Sequence, residues 1–314
     1  MAPREWTVSV VIPAFKAATT IGRAVESVLT QTCPVHEIIV VDDGGFDDIG
    51  RVLAPYADRV ILLRTEHGGA SRARNVGIER SSGELIAFLD ADDYWEPEKI
   101  ERHVGLYRAY PDLGLSFSDL YRERPGVEGR LHVRKQVDAF LRGRPSRVSG
   151  AAAFELAALV CTDTVVVPRS VLGAQRFCPD LSTGEDRDLW VRLILPAPVC
   201  HIAEPLATAV LEQRSLSRTN VDGDCSNMLR VVHRHAALLG IAGVRRWEAR
   251  VYRRWACEHL DERRPVAALA PALSCLRRQP FSLDSWWLAA KSLMLAPTGM
   301  LRRWDHRANK RTTT

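Results

Sequence analysis

The sequence predicts an α/β fold: a mostly parallel central sheet flanked by helices, followed by a helical, basic C-terminal region. Three observations carry this. Short β-branched runs alternate with amphipathic stretches through roughly the first hundred residues, the pattern of strand–helix–strand units. The runs end abruptly in Pro, Gly and Asp, which places loops at one edge of the sheet. From Asn227 onward the strand-like runs stop, and Arg and Trp recur at helical spacing.

Residues 7–12 form a β-branched run stopped by Pro13, a first strand with a loop over 14–18 at its carboxyl end. Thr20 stands as the N-cap of a helix whose apolar positions are Ile21, Ala24, Val25, Val28 and Leu29. Residues 37–41 are a second strand ending in Asp42-Asp43-Gly44-Gly45; 51–57 read as helical and 60–63 as a third strand. This alternation with short connections requires a parallel sheet with right-handed crossovers. Gly68-Gly69 opens the next helix, with Arg72 and Arg74 in its first turns. Arginine opposes the dipole at a helix start, while the free N–H groups there suit phosphate, so a binding role is favoured over solvated arginines. Residues 85–89 are a continuous apolar run, a strand buried on both faces, ending in Asp90-Ala91-Asp92-Asp93. A helix follows over 97–110. Residues 115–147, charge-rich with Gly and Pro, read as an irregular connection; 151–159 read as a helix and 165–167 as a short strand.

This divides the chain into a catalytic-sized domain over 1–224, with parts 1–115 and 116–224, and a helical region over 225–314. The formal charge is only +5, with acid clusters in the N-terminal half and Arg dominant from Met228. Seven cysteines are scattered with no Cys-x-x-Cys, which argues against a zinc site or disulfide framework and for a reducing, cytoplasmic setting. The first six residues hold no apolar signal core, and no apolar run reaches the about 18 residues of a spanning helix.

In open α/β sheets ligands bind at the carboxyl edge of the strands. Three acids within Asp90-Ala91-Asp92-Asp93 repel one another unless a cation compensates, and hard oxygen donors suit Mg²⁺ or Mn²⁺ holding a phosphorylated ligand. Acids for ribose or base at Asp42-Asp43, acids for a metal, and Arg74 for phosphate are the parts of a nucleotide-diphosphate site. A solvated acidic turn is the alternative for the Asp cluster, and a turn cap before Gly44 is the alternative for Asp43. Neither Gly-x-Gly-x-x-Gly nor the Gly-x4-Gly-Lys signature is present.

Taken together, these segments resemble the family 2 glycosyltransferases of GT-A type. The likeness rests on residues 8–15 as the opening strand, 27–32 as the next helix end, 37–44 with Asp42-Asp43-Gly44, and 68–78 with Ala73-Arg74-Asn75. It continues through 83–93 with Asp90-Ala91-Asp92-Asp93, and through Gly184-Glu185-Asp186-Arg187-Asp188 as the acceptor-side motif. Departures are Gly45-Phe46 after Asp-Asp-Gly, His67 where Asn is common, and residues 211–218, which match only approximately.

The resemblance implies transfer of a sugar, with inversion, from a nucleotide-diphosphate donor (UDP by family prior) to an acceptor hydroxyl. It places the nucleotide against the backbone of Pro13, Ala14 and Phe15, against Asp42 and Asp43, and near Asp90 and Ala91. It places the metal, Mg²⁺ or Mn²⁺, on Asp92 with Asp90 and Asp93 near it. Arg74, with Arg214 or Arg218, would meet the diphosphate, and Asp186, with Glu185 beside it, would be the general base. The bland rival for Asp186 is a helix-start acid. Trp95 and Trp190 fit sugar stacking and core packing equally; His67, His132 and His201 read as structural.

The implied acceptor is a glycan, a lipid-linked or a small-molecule hydroxyl, in cell-envelope or extracellular polysaccharide synthesis. In the tail, Arg245, Arg246, Arg250, Arg253 and Arg254 interleave with Trp247, Tyr252 and Trp255. Helical packing with solvated arginines is one reading, and peripheral contact with the cytoplasmic face of a membrane is another. No recognition motif supports nucleic-acid binding. A sugar-phosphate nucleotidylyltransferase would need a Gly-rich basic loop after the first strand, where Ile12-Pro13-Ala14-Phe15 stands. A non-catalytic nucleotide-sugar-binding or membrane-associated scaffold of the same fold is the non-enzyme alternative.

Overall fold

The computed structural model describes residues 5–141, 144–211 and 220–296. It divides into two compact units, Met1–Ser215 and Leu216–Thr314. The division precedes the expected boundary at 224, which falls inside a helix that starts at Val221 and is capped by the Asn220 side chain.

The first unit begins with β1 (Val8–Ala14), α1 (Ile21–Leu29), β2 (Glu37–Asp42), α2 (Ile49–Leu53), β3 (Val60–Arg64), α3 (Ala70–Arg80) and β4 (Leu85–Phe88). β1 pairs in parallel with β2 and β4, and β2 with β3, giving the order β3-β2-β1-β4. Both faces of these strands are covered, which explains their continuous apolar sequence. Val10, Ile12, Ile38 and Val40 join one core with Ile21, Val25 and Val28 of α1; Ile39 and Val41 pack with Ala73 of α3 on the other face. α3 lies close against β1: a Cβ added at Gly77 would sit 2.3 Å from Val11 Cγ1. Thr20 precedes α1 as expected but makes no side-chain capping bond; its hydroxyl donates to Ala17 O.

Beyond β4 the chain forms β5 (Tyr94–Trp95), α4 (Lys99–Ala109), β6 (Leu115–Glu123), β7 (Arg130–Val133), α5 (Asp138–Leu141), α6 (Ala151–Ala157), β8 (Val166–Pro168), α7 (Arg169–Leu172), α8 (Glu185–Ile194) and β9 (Val199–Val210). The sheet runs on from β4 through β8, β6 and β9 to β5, with β7 on β6. Here pairing is largely antiparallel; only β6 and β9 run in parallel. The sheet is therefore mixed, its parallel part confined to β1–β4 and the β6–β9 pair. The expected irregular connection over 115–147 is corrected: it holds β6 and β7. Ser116, Ser118 and Asp119 are interspersed with Leu115, Phe117 and Leu120, and all six are buried, so polar residues sit inside a strand the composition disguised. His132 and His201 have a structural task there, holding the buried Asp119 carboxylate at 3.0 and 2.8 Å.

The second unit is helical: α9 (Val221–Arg234), α10 (Ala236–Asp261), α11 (Pro265–Arg278) and α12 (Leu283–Leu295). α10 is interrupted at Gly240, whose φ of 64° no helix accommodates. One contact cluster is built from small residues, Ala256, Ala268 and Ala272 with Leu288.

Candidate active site

The apolar run of β4 continues one ladder bond further, Leu89 N–H donating to Val11 O at 3.1 Å, and then turns. The turn is closed by Asp93 N–H donating to Asp90 O at 3.1 Å. Carboxylate oxygens of Asp90, Asp93 and Asp163 lie within 4.8 Å of one another, a group that can hold a metal ion. Asp163 comes from a 3₁₀ turn at Thr162–Thr164, immediately before β8, the antiparallel neighbour of β4. Its Oδ1 accepts from Asp90 N–H at 2.7 Å, while Asp93 Oδ1 accepts from Val210 N–H at 2.7 Å. Burial pushes the Asp163 and Asp93 carboxyls up, and the neighbouring carboxylates add to it. Arg74 pairs with Asp90 rather than with these two, and the buried Lys99 attracts Asp163 only at a distance. Excess negative charge on hard oxygen donors at this spacing fits a divalent cation.

Asp92, expected as the direct ligand, is not in that converging set; its backbone carbonyl accepts from Arg23 Nη2 at 2.7 Å. Asp163 is the residue sequence reasoning missed. Its signal was an acid inside the apolar and β-branched stretch 159–167, where a carboxylate is buried only with partners or a ligand.

A buried shell stands behind the acids. Trp95, 3% exposed, donates from Nε1 to Asp163 O at 3.0 Å, and Lys99 Nζ lies 5.0 Å from the Trp95 ring centroid. Burial lowers Lys99 to about 7. His103 Nε2 is 3.3 Å from Lys99 Nζ, and its Nδ1 is 2.7 Å from Ser116 Oγ. Trp190 is fully buried against Phe88 and Phe177. Both tryptophans are therefore core.

Arg74 was expected to reach towards the diphosphate. Its guanidinium is buried, 4% exposed, and forks between two carboxylates: Nη2 to Asp90 Oδ1 at 2.6 Å and Nη1 to Glu185 Oε1 at 2.8 Å. Phe177 packs under it, 5.2 Å from ring centroid to Cζ. Burial and then the Asp186 charge raise the Glu185 carboxyl, against the lowering effect of Arg74. Arg74 thus ties the acid turn after β4 to the first turn of α8, which Gly184 opens in the left-handed conformation with φ 74°. Asp186 is half-buried on that turn, its Oδ1 accepting from Arg187 N–H at 2.6 Å.

On the other flank, Asp43 accepts from Gly68 N–H at 2.9 Å and Gly69 N–H at 2.8 Å, and its Oδ2 is 2.8 Å from His67 Nδ1. It is 2% exposed and pins the glycine turn before α3. Gly69 needs its φ of 85° there, so only glycine fits without strain. Asp42 is also buried, accepting from Gly45 N–H at 3.2 Å. Ala14 O accepts from Asp43 N–H at 2.8 Å, joining the ends of β1 and β2. Phe15, next after Pro13 and Ala14, stacks on His67 at 4.2 Å between centroids and 23° between planes. Ala91 is buried within the acid turn. Arg214 and Arg218 lie outside the described residues.

A buried acid cluster, an arginine bridge and an acid-led helix thus gather beyond β4 in a strand order β3-β2-β1-β4, at the edge where open α/β sheets bind ligands. The model of "Glycosyl transferase family 2" matches residues 9–149. TuaG of Bacillus subtilis, a glycosyltransferase assigned to teichuronic acid biosynthesis, is 30% identical over 191 residues, covering 60% of this chain and 71% of that one. The Escherichia coli UDP-Glc:alpha-D-GlcNAc-diphosphoundecaprenol beta-1,3-glucosyltransferase WfgD is 29% identical over 192 residues, 60% of this chain and 70% of that one. A Rickettsia prowazekii glycosyltransferase is 36% identical over 99 residues, and there the chain spans only 31% of the relative. Among solved structures, residues 1–349 of Staphylococcus aureus TarS in complex with UDP-GlcNAc superimpose with a TM-score of 0.62 at 16% identity, covering 92% of this chain and 89% of that one. The fold is the GT-A type. The chain belongs to glycosyltransferase family 2 and is a glycosyltransferase.

Proposed function

We propose that this enzyme transfers a sugar from a UDP-sugar to a hydroxyl of a lipid-linked or envelope-glycan acceptor, with inversion at the anomeric carbon. The observation that carries the reading is the Arg74 bridge, which joins the acid turn at Asp90 to the helix start bearing Asp186. The setting is the reducing face of a membrane: all seven cysteines are free, and WfgD acts on a diphosphoundecaprenol-linked sugar.

The stacked Phe15–His67 pair offers an aromatic face for the base, beside the backbone of Pro13 and Ala14. Asp42 and Asp43 keep that floor in shape by holding Gly45, Gly68 and Gly69. Asp90, Asp93 and Asp163, with Asp92 beside them, would hold Mg²⁺ or Mn²⁺, which when bound supplies charge neutralisation for the leaving diphosphate. Asp186 takes the proton of the acceptor hydroxyl as its oxygen bonds to the anomeric carbon and the bond to the diphosphate breaks. Three acids lead α8, and two are held in ion pairs: Glu185 by Arg74, and Asp188 by Arg192 at 3.0 Å. Asp186 has no such partner among the described residues, which favours it as the base.

The test is turnover of a panel of nucleotide sugars with Mn²⁺ present. One donor, a UDP-sugar, is expected to be hydrolysed slowly without acceptor and faster with an undecaprenyl-diphosphate-linked sugar. Absence of binding and hydrolysis across the whole panel would overturn the reading.

A further inference from the structure

α12 is built inside out. Its buried positions are Ser285, Leu288 and Ser292, while Leu283, Trp286, Trp287, Leu293 and Met294 are exposed. Leu283 is 85% exposed, Met294 77%, Trp286 56% and Trp287 60%; Phe281, in the turn that leads into the helix, is 99% exposed. Leu283, Trp287, Ala290 and Met294 follow spacings of three and four, so they form one stripe. The small buried residues explain the inversion. Ser285 Oγ meets Cys275 Sγ of α11 at 3.5 Å, Leu288 clusters with Ala268 and Ala272 of α11, and the Ser292 hydroxyl turns back to Leu288 O within α12 at 2.8 Å, so small residues line the inner face. The large apolar side chains are left on the outside, an arrangement that marks an interaction surface.

The charge of this region selects the partner. Residues 220–314 carry 17 Lys and Arg against 8 Asp and Glu, whereas residues 1–219 carry 26 against 30. On α12 itself the exposed acid, Asp284, lies 3.7 Å from Arg253, and Lys291 sits 4.7 Å from the Trp287 ring centroid. Two copies of so basic a region repel each other. A nucleic acid would satisfy the arginines but offers nothing apolar to Leu283, Met294 and Phe281. An anionic bilayer satisfies both, taking tryptophans and leucines into its interface and cations at its headgroups. At 13 residues α12 is too short to span, and no helix among the described residues is long and apolar enough to cross a membrane.

We propose that α12, with Phe281 at its entry, is an in-plane anchor that docks this protein on anionic lipid. The surface lies wholly in the second unit, so its lipid binding is independent of the donor chemistry. The test is co-sedimentation of the full chain with phosphatidylcholine vesicles containing about one-third phosphatidylglycerol. Binding is expected, weakened at least about tenfold on vesicles of phosphatidylcholine alone. The double variant Trp286→Ser/Trp287→Ser is expected to lower partitioning at least about tenfold, given the apolar area two indoles bury. Leu283→Ser/Met294→Ser should reproduce the loss, with donor hydrolysis in solution and helicity unchanged in both. Anionic-vesicle binding that neither variant alters would overturn the proposal. So would absence of vesicle binding, whether the variants instead dissolve a dimer in sedimentation velocity or abolish binding to an RNA homopolymer.

Discussion

Replacing Arg74 with methionine is expected to destabilise the first unit by about 3–5 kcal/mol and to lower transfer by at least about 100-fold. The size follows from burial. Arg74 is 4% exposed, and both carboxylates it pairs with lose their compensating cation when it goes. Glu185 suffers most, because burial already disfavours its charged form. The functional loss has a separate origin. Without the fork, the charged tie between the first turn of α8 and the acid turn is lost, and small misplacements of reacting groups are costly. Arg74→Lys separates the two effects, since lysine restores one charge but cannot make two bonds in a fixed plane. It should recover more stability than activity. Chemical denaturation midpoints alongside kcat read both quantities, and a methionine variant with wild-type midpoint and turnover would remove the bridge from the account.

The second large effect is expected at Asp186. Asp186→Asn preserves shape and the hydrogen bond from Arg187 N–H but removes the base, so kcat should fall by ~10²-fold or more while donor affinity persists. The neighbouring acids provide the contrast. Glu185 is committed to Arg74 and Asp188 to Arg192, so changes there should lower stability first. Near-normal turnover by Asp186→Asn, measured with saturating donor and acceptor, would exclude it as the base.

What was legible in the sequence was whatever is written locally. The β1–β4 strands announced themselves because both faces are apolar, and the acid turn announced itself because three aspartates interrupt an apolar run. β6, β7 and β9 were hidden, since Ser116, Ser118 and Asp119 are buried polar residues within β6, and a partner of Asp119, His201, lies far along the chain. The same holds in the site. Arg74 looked like a phosphate arm from its place at a helix start, but its second partner is 111 residues away. Asp163 gave no motif; only the antiparallel pairing of β8 with β4 brings it beside Asp90. Asp43 looked like a nucleotide ligand, and its oxygens are engaged by Gly68 and Gly69. Local patterning predicts elements and edges; which charges meet is set by tertiary contact.

Calorimetric titration of UDP into the protein, once with Mn²⁺ and once with excess chelator, tests most directly whether the acid turn is a cation-assisted diphosphate site. The account predicts affinity at least about tenfold higher with Mn²⁺, a gain of ~1.4 kcal/mol or more, and loss of that gain in Asp163→Asn. Equal affinity in the two conditions would contradict it.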